Sequence, residues 1–258
     1  MKSTYRTPII SLMNRTFKKN SILALIIVLM LFNNLTWASS PALRSLNSES
    51  IPLDLPLIVI PSAQQEDHLP IVFFISGDGG WTSFDRSIAD YLAGKGMPVV
   101  GLDARKYFWN SKTPQECASD FSKAVQRYMQ QWNRKKFILV GYSFGANVVP
   151  FIADKLPPEL KESLSGIFSL SPTEKADFEI HLSDMLGIGG KNEDFNVLEE
   201  IKKIKRFQTV CIFGADEEEA TRIQFGQSGA TIVTLPGNHH YNNHPSAAAE
   251  AIFKEIGK

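Results

Sequence analysis

The feature that most constrains this chain is a strand–turn–helix pattern at residues 137–149, FILVGYSFGANVV. Its first four residues are apolar and do not alternate, which is typical of a parallel strand buried on both faces. Gly141-Tyr142-Ser143-Phe144-Gly145 follows, and then a run with helical spacing. A strand that turns this sharply into a helix strains the central Ser, and flanking glycines let strand and helix pack closely. The pattern predicts an exposed, reactive Ser143 hydroxyl at the carboxyl end of the strand.

A Ser hydroxyl is a poor nucleophile at neutral pH unless a base takes its proton, and the base needs an acid to orient it. We call the strand–turn–helix element with its central serine the elbow. After an elbow of this kind, the acid and the base follow later in the chain, in that order. Acidic residues 216–219 follow a predicted strand at 208–213, and two histidines follow a predicted strand at 231–235. Both clusters are therefore expected at the sheet edge that carries the serine.

The sequence leaves two choices open for each partner. Asp216 is our first choice of acid because the shorter carboxylate is the commoner one, with Glu217 as the alternate. His240 is our first choice of base because an aromatic residue follows it, with His239 as the alternate. The predicted catalytic set is therefore Ser143, His240 and Asp216.

An oxyanion formed at this site needs hydrogen-bond donors. The amide of Phe144 lies at the start of the predicted helix, where developing negative charge is stabilised. The second donor of such sites comes from the loop after an earlier strand, and here the loop SGDGG at 76–80 makes the amide of Asp78 the candidate. Aromatic residues follow strand ends at the same edge and are predicted to shape an apolar or amphiphilic substrate pocket; they are Trp81, Tyr107, Phe108 and Trp109.

Metal and cofactor sites are not predicted. His240 and His244 have the i, i+4 spacing that binds metal on a helix, but Gly237 and Pro245 make a helix across them improbable. The loop at 76–80 lacks the third spaced glycine and the acidic partner of a dinucleotide-binding loop, and the chain has no Walker-type phosphate loop.

Strands that alternate with helices from residue 55 onward predict an α/β fold with a mostly parallel sheet covered on both faces by helices. The run LPLIVIP at 55–61 is flanked by prolines, which favours an edge strand. We expect one domain at 55–258, preceded by a flexible lead-in at 39–54. We expect Cys117 and Cys211 to be small buried hydrophobic residues, and a disulfide between them is the less favoured alternative.

The first 38 residues read as a secretory signal peptide. They begin with basic residues, continue with eleven mostly apolar residues at 22–32, and end with small residues at Thr36 and Ala38. Eleven residues are too few to span a bilayer, which takes about 20. We therefore expect an exported, periplasmic protein, and the long stretch before the apolar residues leaves an uncleaved anchor as the alternative. The five basic residues before position 20 leave 22 basic and 27 acidic residues in the rest of the chain, a net charge of −5 that argues against a nucleic-acid partner.

Five stretches together resemble the bacterial virulence protein family VirJ/AcvB. They are SGDGGW at 76–81, YFW at 107–109 followed by TP at 113–114, GYSFGANVVP at 141–150, FEI at 178–180 and LPGNHH at 235–240. The resemblance covers most of the chain from about residue 55. It implies a periplasmic protein with an α/β-hydrolase fold.

The resemblance also implies a substrate and partners. AcvB-type members hydrolyse lysyl-phosphatidylglycerol, and the family is linked to type IV secretion with proposed binding of exported proteins. The first hypothesis is thus a serine esterase acting on an aminoacylated phospholipid at the membrane surface. The alternatives are a non-catalytic binding or chaperone module for secretion substrates, and a carboxylesterase for small esters.

Overall fold

The computed structural model describes residues 53–62, 68–180 and 195–256. All of these lie in one compact unit that spans Pro52–Lys258. The predicted signal peptide at 1–38, most of the predicted lead-in at 39–54 and residues 181–194 lie outside the described residues, so the predicted domain boundaries stay predictions. Within the described ranges, no helix combines the length and the apolar character needed to cross a membrane.

A seven-stranded sheet forms the centre of the fold, with lateral order β1-β3-β2-β4-β5-β8-β9. Its strands are β1 (Leu57–Ile60), β2 (Ile71–Ile75), β3 (Val99–Leu102), β4 (Phe137–Tyr142), β5 (Leu164–Leu170), β8 (Thr209–Gly214) and β9 (Thr231–Leu235). All neighbouring strands pair in parallel except β1, which runs antiparallel to β3 at one edge. Two short strands, β6 (Lys175–Ala176) and β7 (Phe195–Asn196), pair separately. The predicted mostly parallel sheet is confirmed.

The helices of the described residues lie between these strands along the chain, except for the last, which follows β9. They are α1 (Ser83–Gly94), α2 (Ala104–Tyr107), α3 (Pro114–Gln131), α4 (Phe144–Lys155), α5 (Pro158–Ser163), α6 (Val197–Lys203), α7 (Glu219–Ser228) and α8 (Pro245–Glu255). The acidic residues 216–219 connect β8 to α7, and the last of them, Glu219, is the first residue of that helix.

The core has two layers because alternate side chains of each buried strand point to opposite faces of the sheet. In β2, Ile71, Phe73 and Ile75 pack in one layer with side chains of α3, α4 and α6. Val72 and Phe74 pack in the other layer with side chains of α1 and α8. Every residue of β2 is buried, which is why the strand shows no polar alternation in the sequence. Helices therefore cover both faces of the sheet. The carboxyl ends of its parallel strands all lie along one edge, and it is this edge that is meant below.

Both cysteines are free and fully buried. Burial raises the pKa of the Cys117 thiol to about 12 and also raises the pKa of Cys211. A thiol kept protonated in this way is a poor nucleophile and a poor metal ligand. The two residues act as small apolar parts of the core.

Candidate active site

The elbow between β4 and α4 carries the strain that the sequence predicts. Ser143 has φ 52° and ψ −112°, between the last residue of the strand and the first residue of the helix. Such a conformation is disfavoured for a residue with a side chain and persists only where the surrounding fold imposes it. Here β4 lies between β2 and β5, and Ser143 also donates its amide hydrogen to the carbonyl of Leu170.

Two close approaches explain the glycines of the elbow. A Cβ added at Gly141 would lie 2.2 Å from the carbonyl oxygen of Gly145. A Cβ added at Gly145 would lie 2.2 Å from the carbonyl oxygen of Ile75, on the neighbouring strand β2. Both obstacles are backbone atoms, which cannot rotate away. The strand and the helix can therefore meet at this angle only with glycine at both positions.

Gly145→Ala is expected to destabilise the fold by about 3 kcal/mol, because the new methyl group must displace the backbone of β2. Gly94→Ala is the matched control, since nothing lies within 4 Å of a Cβ at that position. We expect the control to unfold within about 1 kcal/mol of the wild type. Urea unfolding followed by circular dichroism measures both. Equal stabilities of the two variants would contradict the close-packed elbow.

His239 is the histidine that the structure brings to Ser143. Its Nε2 lies 3.0 Å from Oγ of Ser143. Its Nδ1 lies 3.2 Å from Oε2 of Glu217, which follows β8. With Nδ1 protonated and facing the carboxylate, Nε2 has a free lone pair directed at the hydroxyl. This arrangement lets the imidazole accept the Ser143 proton.

Glu217 is held as an ionised acceptor. Its Oε1 accepts hydrogen bonds from the amide of Gly214 at 2.6 Å and from Oγ of Ser171 at 2.8 Å. Burial alone would raise the pKa of Glu217, but the hydrogen bonds from His239, Gly214 and Ser171 outweigh it and lower the pKa. The carboxylate therefore stays charged at neutral pH and can stabilise an imidazolium at His239.

The backbone after β8 decides which acidic residue turns inward. The amide of Glu217 donates to the carbonyl of Gly214, which closes a tight turn, and Asp216 lies at the outer corner of that turn. The amide of Asp216 donates to the carbonyl of Gly237, while its side chain is exposed. Nη1 of Arg222, on α7, donates to the carbonyls of Gly214, Ala215 and Glu217 and so holds the turn from outside. The first choice of acid, Asp216, is thus replaced by its alternate.

Glu217→Gln is expected to lower kcat by about 10³–10⁴-fold, because the amide keeps the shape but no longer stabilises the imidazolium. Asp216→Asn is the matched control one residue away, and since its carboxylate is exposed we expect kcat to stay within about twofold of the wild type. Steady-state hydrolysis of an activated ester compares the two. A larger loss in the Asp216 variant would assign the acid to that residue instead.

The first choice of base is replaced as well. Nδ1 of His240 lies 2.5 Å from the hydroxyl of Tyr142, and its ring packs edge-on against Phe84. The His240 and His239 rings lie nearly perpendicular, with centroids 5.5 Å apart. His240 therefore contacts the residue before Ser143, and no hydrogen bond joins it to Ser143 among the described residues.

Two residues of the site escaped sequence reasoning. Ser171 follows the end of β5 and donates to Glu217, so the same rule of strand ends could have found it. Tyr241 is buried, its hydroxyl donates to the carbonyl of Ile212, and its oxygen lies 2.9 Å from Oγ of Ser171. Tyr241 therefore anchors the loop that carries His239 to the end of β8.

The two amides predicted to bind an oxyanion are free to do so. Phe144 is the first residue of α4, where an amide has no acceptor within the helix. The Asp78 amide follows Gly77, at which an added Cβ would lie 3.6 Å from Cβ of Ser143. Among the described residues neither amide donates a hydrogen bond to another protein group. Both remain candidate donors beside the nucleophile.

The order Ser143, Glu217, His239 along the chain, on a parallel sheet with the serine at a strained turn, is the arrangement of an α/β-hydrolase. A family model described as bacterial virulence protein (VirJ) matches residues 69–258, about three quarters of the chain. The chain belongs to the VirJ family. The predicted family resemblance is confirmed, whereas among curated proteins no sequence matches significantly.

Solved structures similar to this VirJ-family chain include several esterases. Est1E from Butyrivibrio proteoclasticus has a TM-score of 0.56 and 13% identity, with 78% of this chain and 94% of that chain covered. A lipase-esterase related protein from Clostridium acetobutylicum has a TM-score of 0.56 and 15% identity, with 78% and 99% covered. A thermostable esterase from Pseudomonas putida has a TM-score of 0.51 and 19% identity, with 78% and 76% covered. At these identities the likeness shows a shared fold, which confirms the predicted α/β-hydrolase class.

The predicted aromatic pocket is not formed as expected. Phe108 is fully buried and Tyr107 is 6% exposed, so both are core residues that a substrate cannot reach. The Trp81 ring packs against Gly101 of β3 and edge-on against Phe74. Trp109 alone of the four is exposed. The prediction was wrong for Tyr107 and Phe108 because both rings pack inward, where the Tyr107 hydroxyl donates to Asp120 and the Phe108 ring packs against Phe144.

In the described part of the chain, no three His, Cys, Asp or Glu side chains are grouped so that they could hold a metal ion. His240 and His244 flank a short turn, Tyr241–Asn243, whose three residues all have positive φ. That left-handed turn breaks the helical geometry that an i, i+4 pair needs.

Proposed function

We propose that this VirJ-family chain is a periplasmic serine hydrolase that cleaves an ester on a membrane-lipid headgroup, aminoacyl- (lysyl-) phosphatidylglycerol being the first candidate. The observation that carries the hydrolase part is the hydrogen-bonded series from Oγ of Ser143 through His239 to Glu217. The choice of lipid rests on the family resemblance. The choice of compartment rests on the signal-peptide pattern at residues 1–38.

The proposed reaction has two halves. Oγ of Ser143 attacks the carbonyl carbon of the aminoacyl ester while Nε2 of His239 takes the hydroxyl proton. The tetrahedral intermediate collapses when His239 gives that proton to the departing glycerol oxygen, which releases phosphatidylglycerol and leaves the aminoacyl group on the serine. Water then attacks the acyl-enzyme with His239 again as the base, and the free amino acid leaves.

Glu217 and the two amides act on charges that appear during these steps. The ionised carboxylate faces Nδ1 of His239 and stabilises the imidazolium that forms each time the base holds the proton. The amides of Asp78 and Phe144 are the proposed donors to the carbonyl oxygen as it becomes negative. Loss of one such donor costs about 10²–10³-fold in rate, or about 3–4 kcal/mol.

Substrate preference tests the lipid part of the proposal. We expect the purified protein to release free lysine from vesicles that contain lysyl-phosphatidylglycerol, with a kcat/KM at least about tenfold above that for p-nitrophenyl butyrate, because only the lipid offers headgroup contacts beyond the ester. Thin-layer chromatography of the lipid and an amino-acid assay measure the two products. The Ser143→Ala variant serves as the blank.

Other outcomes would support one of the two alternative functions. Turnover of p-nitrophenyl butyrate with an intact aminoacyl lipid would assign a carboxylesterase for small esters. A folded protein that turns over neither ester would favour the binding or chaperone module for secretion substrates, in which the site is vestigial.

A further inference from the structure

One exposed segment borders the candidate active site. Residues 104–112, which we name the rim segment, follow β3 and include α2 and the turn after it. Trp109 is 48% exposed, one of three large exposed apolar side chains in the described chain. The two polar residues that follow it, Asn110 and Ser111, are exposed as well. The Trp109 indole ring is therefore exposed to solvent, and we refer to residue 109 as the tip of the rim segment.

The rim segment contacts both the loop that carries Asp78 and the residue that follows Ser143. At its start, the amide of Ala104 donates to Oγ of Ser76, at the head of the loop that carries Asp78. In its middle, the Phe108 ring packs edge-on against Phe144, the residue after Ser143, with centroids 4.9 Å apart. Trp109 is the next residue. Its exposed ring thus lies at the same sheet edge as the nucleophile and within one residue of a direct contact to the elbow.

The charge of the rim segment is opposite to that of the domain. It contains Arg105, Lys106 and Lys112 and no acidic residue, whereas the chain after its basic first 19 residues has a net charge of −5. Arg105 and Lys106 are exposed, and the Lys106 ammonium lies 3.1 Å from the nearly buried Asp103. The Lys112 ammonium lies 5.2 Å from the centre of the Tyr107 ring. A local cationic surface on an acidic body orients the molecule toward a negatively charged partner.

We propose that the rim segment docks on an anionic phospholipid bilayer, with Trp109 in the headgroup region and the basic side chains on lipid phosphates. Tryptophan prefers this interface because its ring is apolar and its N–H is polar, and each nearby Lys or Arg adds attraction to anionic lipid. One exposed ring among flexible cations offers too little apolar area for a stable protein interface. Docking would turn the sheet edge that carries Ser143 toward the membrane. This role in catalysis rests on the proposed lipid substrate, whereas the binding itself does not require catalysis.

A fluorescent label at the tip tests the docking directly. Trp109→Cys in the full chain is labelled with a nitrobenzoxadiazole maleimide, and the two native thiols are fully buried and stay unlabelled. We expect a blue shift and at least a doubling of emission with vesicles of phosphatidylcholine and phosphatidylglycerol, and no change with phosphatidylcholine alone. Ile223→Cys, labelled in the same way on α7 at a residue 52% exposed, is the matched control and should not respond. Because the label reports position 109, attachment through other segments does not imitate the result.

Charge reversal tests the electrostatic part in the labelled protein. Arg105→Glu with Lys106→Glu should weaken the apparent partition onto the anionic vesicles by about tenfold or more, since two cations near the surface are replaced. Lys205→Glu with Arg206→Glu is the matched control, an exposed basic pair that precedes β8 at the opposite edge of the sheet. This control should change the partition by less than about twofold.

Several results would overturn the proposal. They are an unshifted label at position 109, equal responses at 109 and 223, or equal losses from the two charge reversals. A label that responds to protein concentration without lipid would assign the surface to a second copy of the chain. Ser143→Ala in the labelled protein should respond to vesicles as the parent does, so a failed esterase assay and a failed docking assay are distinguishable.

Discussion

Ser143→Ala is expected to lower ester turnover by about 10⁴–10⁶-fold while the protein remains folded. In the proposed mechanism the variant removes the hydroxyl that forms the acyl-enzyme, whereas the amides of Asp78 and Phe144 remain. The residual rate should therefore stay above that of the uncatalysed reaction. Hydrolysis of an activated ester under saturating conditions measures the loss as kcat.

Stability separates this effect from misfolding. Ala accepts the same strained backbone as Ser, and the variant loses one hydrogen bond to a half-exposed histidine, so we expect a change in unfolding free energy of about 1 kcal/mol or less. Ser87→Ala, at an exposed position on α1, is the control and should leave both kcat and stability unchanged. Turnover by the Ser143 variant at more than about a tenth of the wild-type rate would exclude this residue as the nucleophile.

The second large effect distinguishes two adjacent histidines. His239→Ala is expected to lower kcat by about 10⁴–10⁶-fold, because His239 is the one group of the described residues within hydrogen-bonding distance of the Ser143 hydroxyl that can take its proton. His240→Ala should lower kcat by no more than about tenfold, since it removes a contact to Tyr142 but leaves the proton path intact. The same activated ester measures both variants.

The size of the Ala effects can be checked by a more conservative change. His240→Asn keeps a polar group that can accept from the Tyr142 hydroxyl, so it should recover most of any loss seen in the His240→Ala variant. His239→Asn should recover none, because an amide cannot take the proton. If His240→Ala lost as much activity as His239→Ala and both proteins stayed folded, the assignment of the base would be reversed.

The sequence predicts the fold well because its strands are buried on both faces. The runs at 71–75, 137–140 and 231–235 are apolar or β-branched, and the structure has strands at each of them. The sequence Thr113-Pro114-x-Glu116 is typical of a helix start, and in the structure it forms the capping box at the beginning of α3. These signals are local, since each depends on a few neighbouring residues. Helix α7 was missed because only Phe225 and Ser228 of it are buried, so its apolar periodicity is weak.

The sequence predicts which loops form the candidate site, but not which residue of each loop faces Ser143. Strand order places the residues after β4, β8 and β9 at one edge, and this much follows from topology. The choice of Glu217 over Asp216 depends on a single turn closed by Gly214, and the choice of His239 over His240 depends on where Tyr142 and Tyr241 hold the next loop. The two tyrosine contacts join segments about 30 to 100 residues apart, so no short pattern in the sequence could reveal them.

The aromatic residues after β3 show the same limit. In the sequence, residues 107–109 follow a strand that ends at the predicted edge of the sheet, and this position predicts that their side chains line a pocket. In the structure α2 starts at once, because Asp103 caps it by accepting from the amide of Lys106, and the turn buries Tyr107 and Phe108. Only Trp109 is left at the surface. A four-residue helix is too short to predict from periodicity.

The most direct measurement of the central claim is the rate at which a fluorophosphonate labels the folded protein, with the adduct mapped by mass spectrometry. A phosphonylated Ser143 in the wild type, a labelling rate lower by at least about 100-fold in His239→Ala and a rate within about tenfold of the wild type in His240→Ala are the results that we predict. Folded wild-type protein without an adduct on Ser143, or His239→Ala protein that labels at the wild-type rate, would contradict a nucleophile activated by His239.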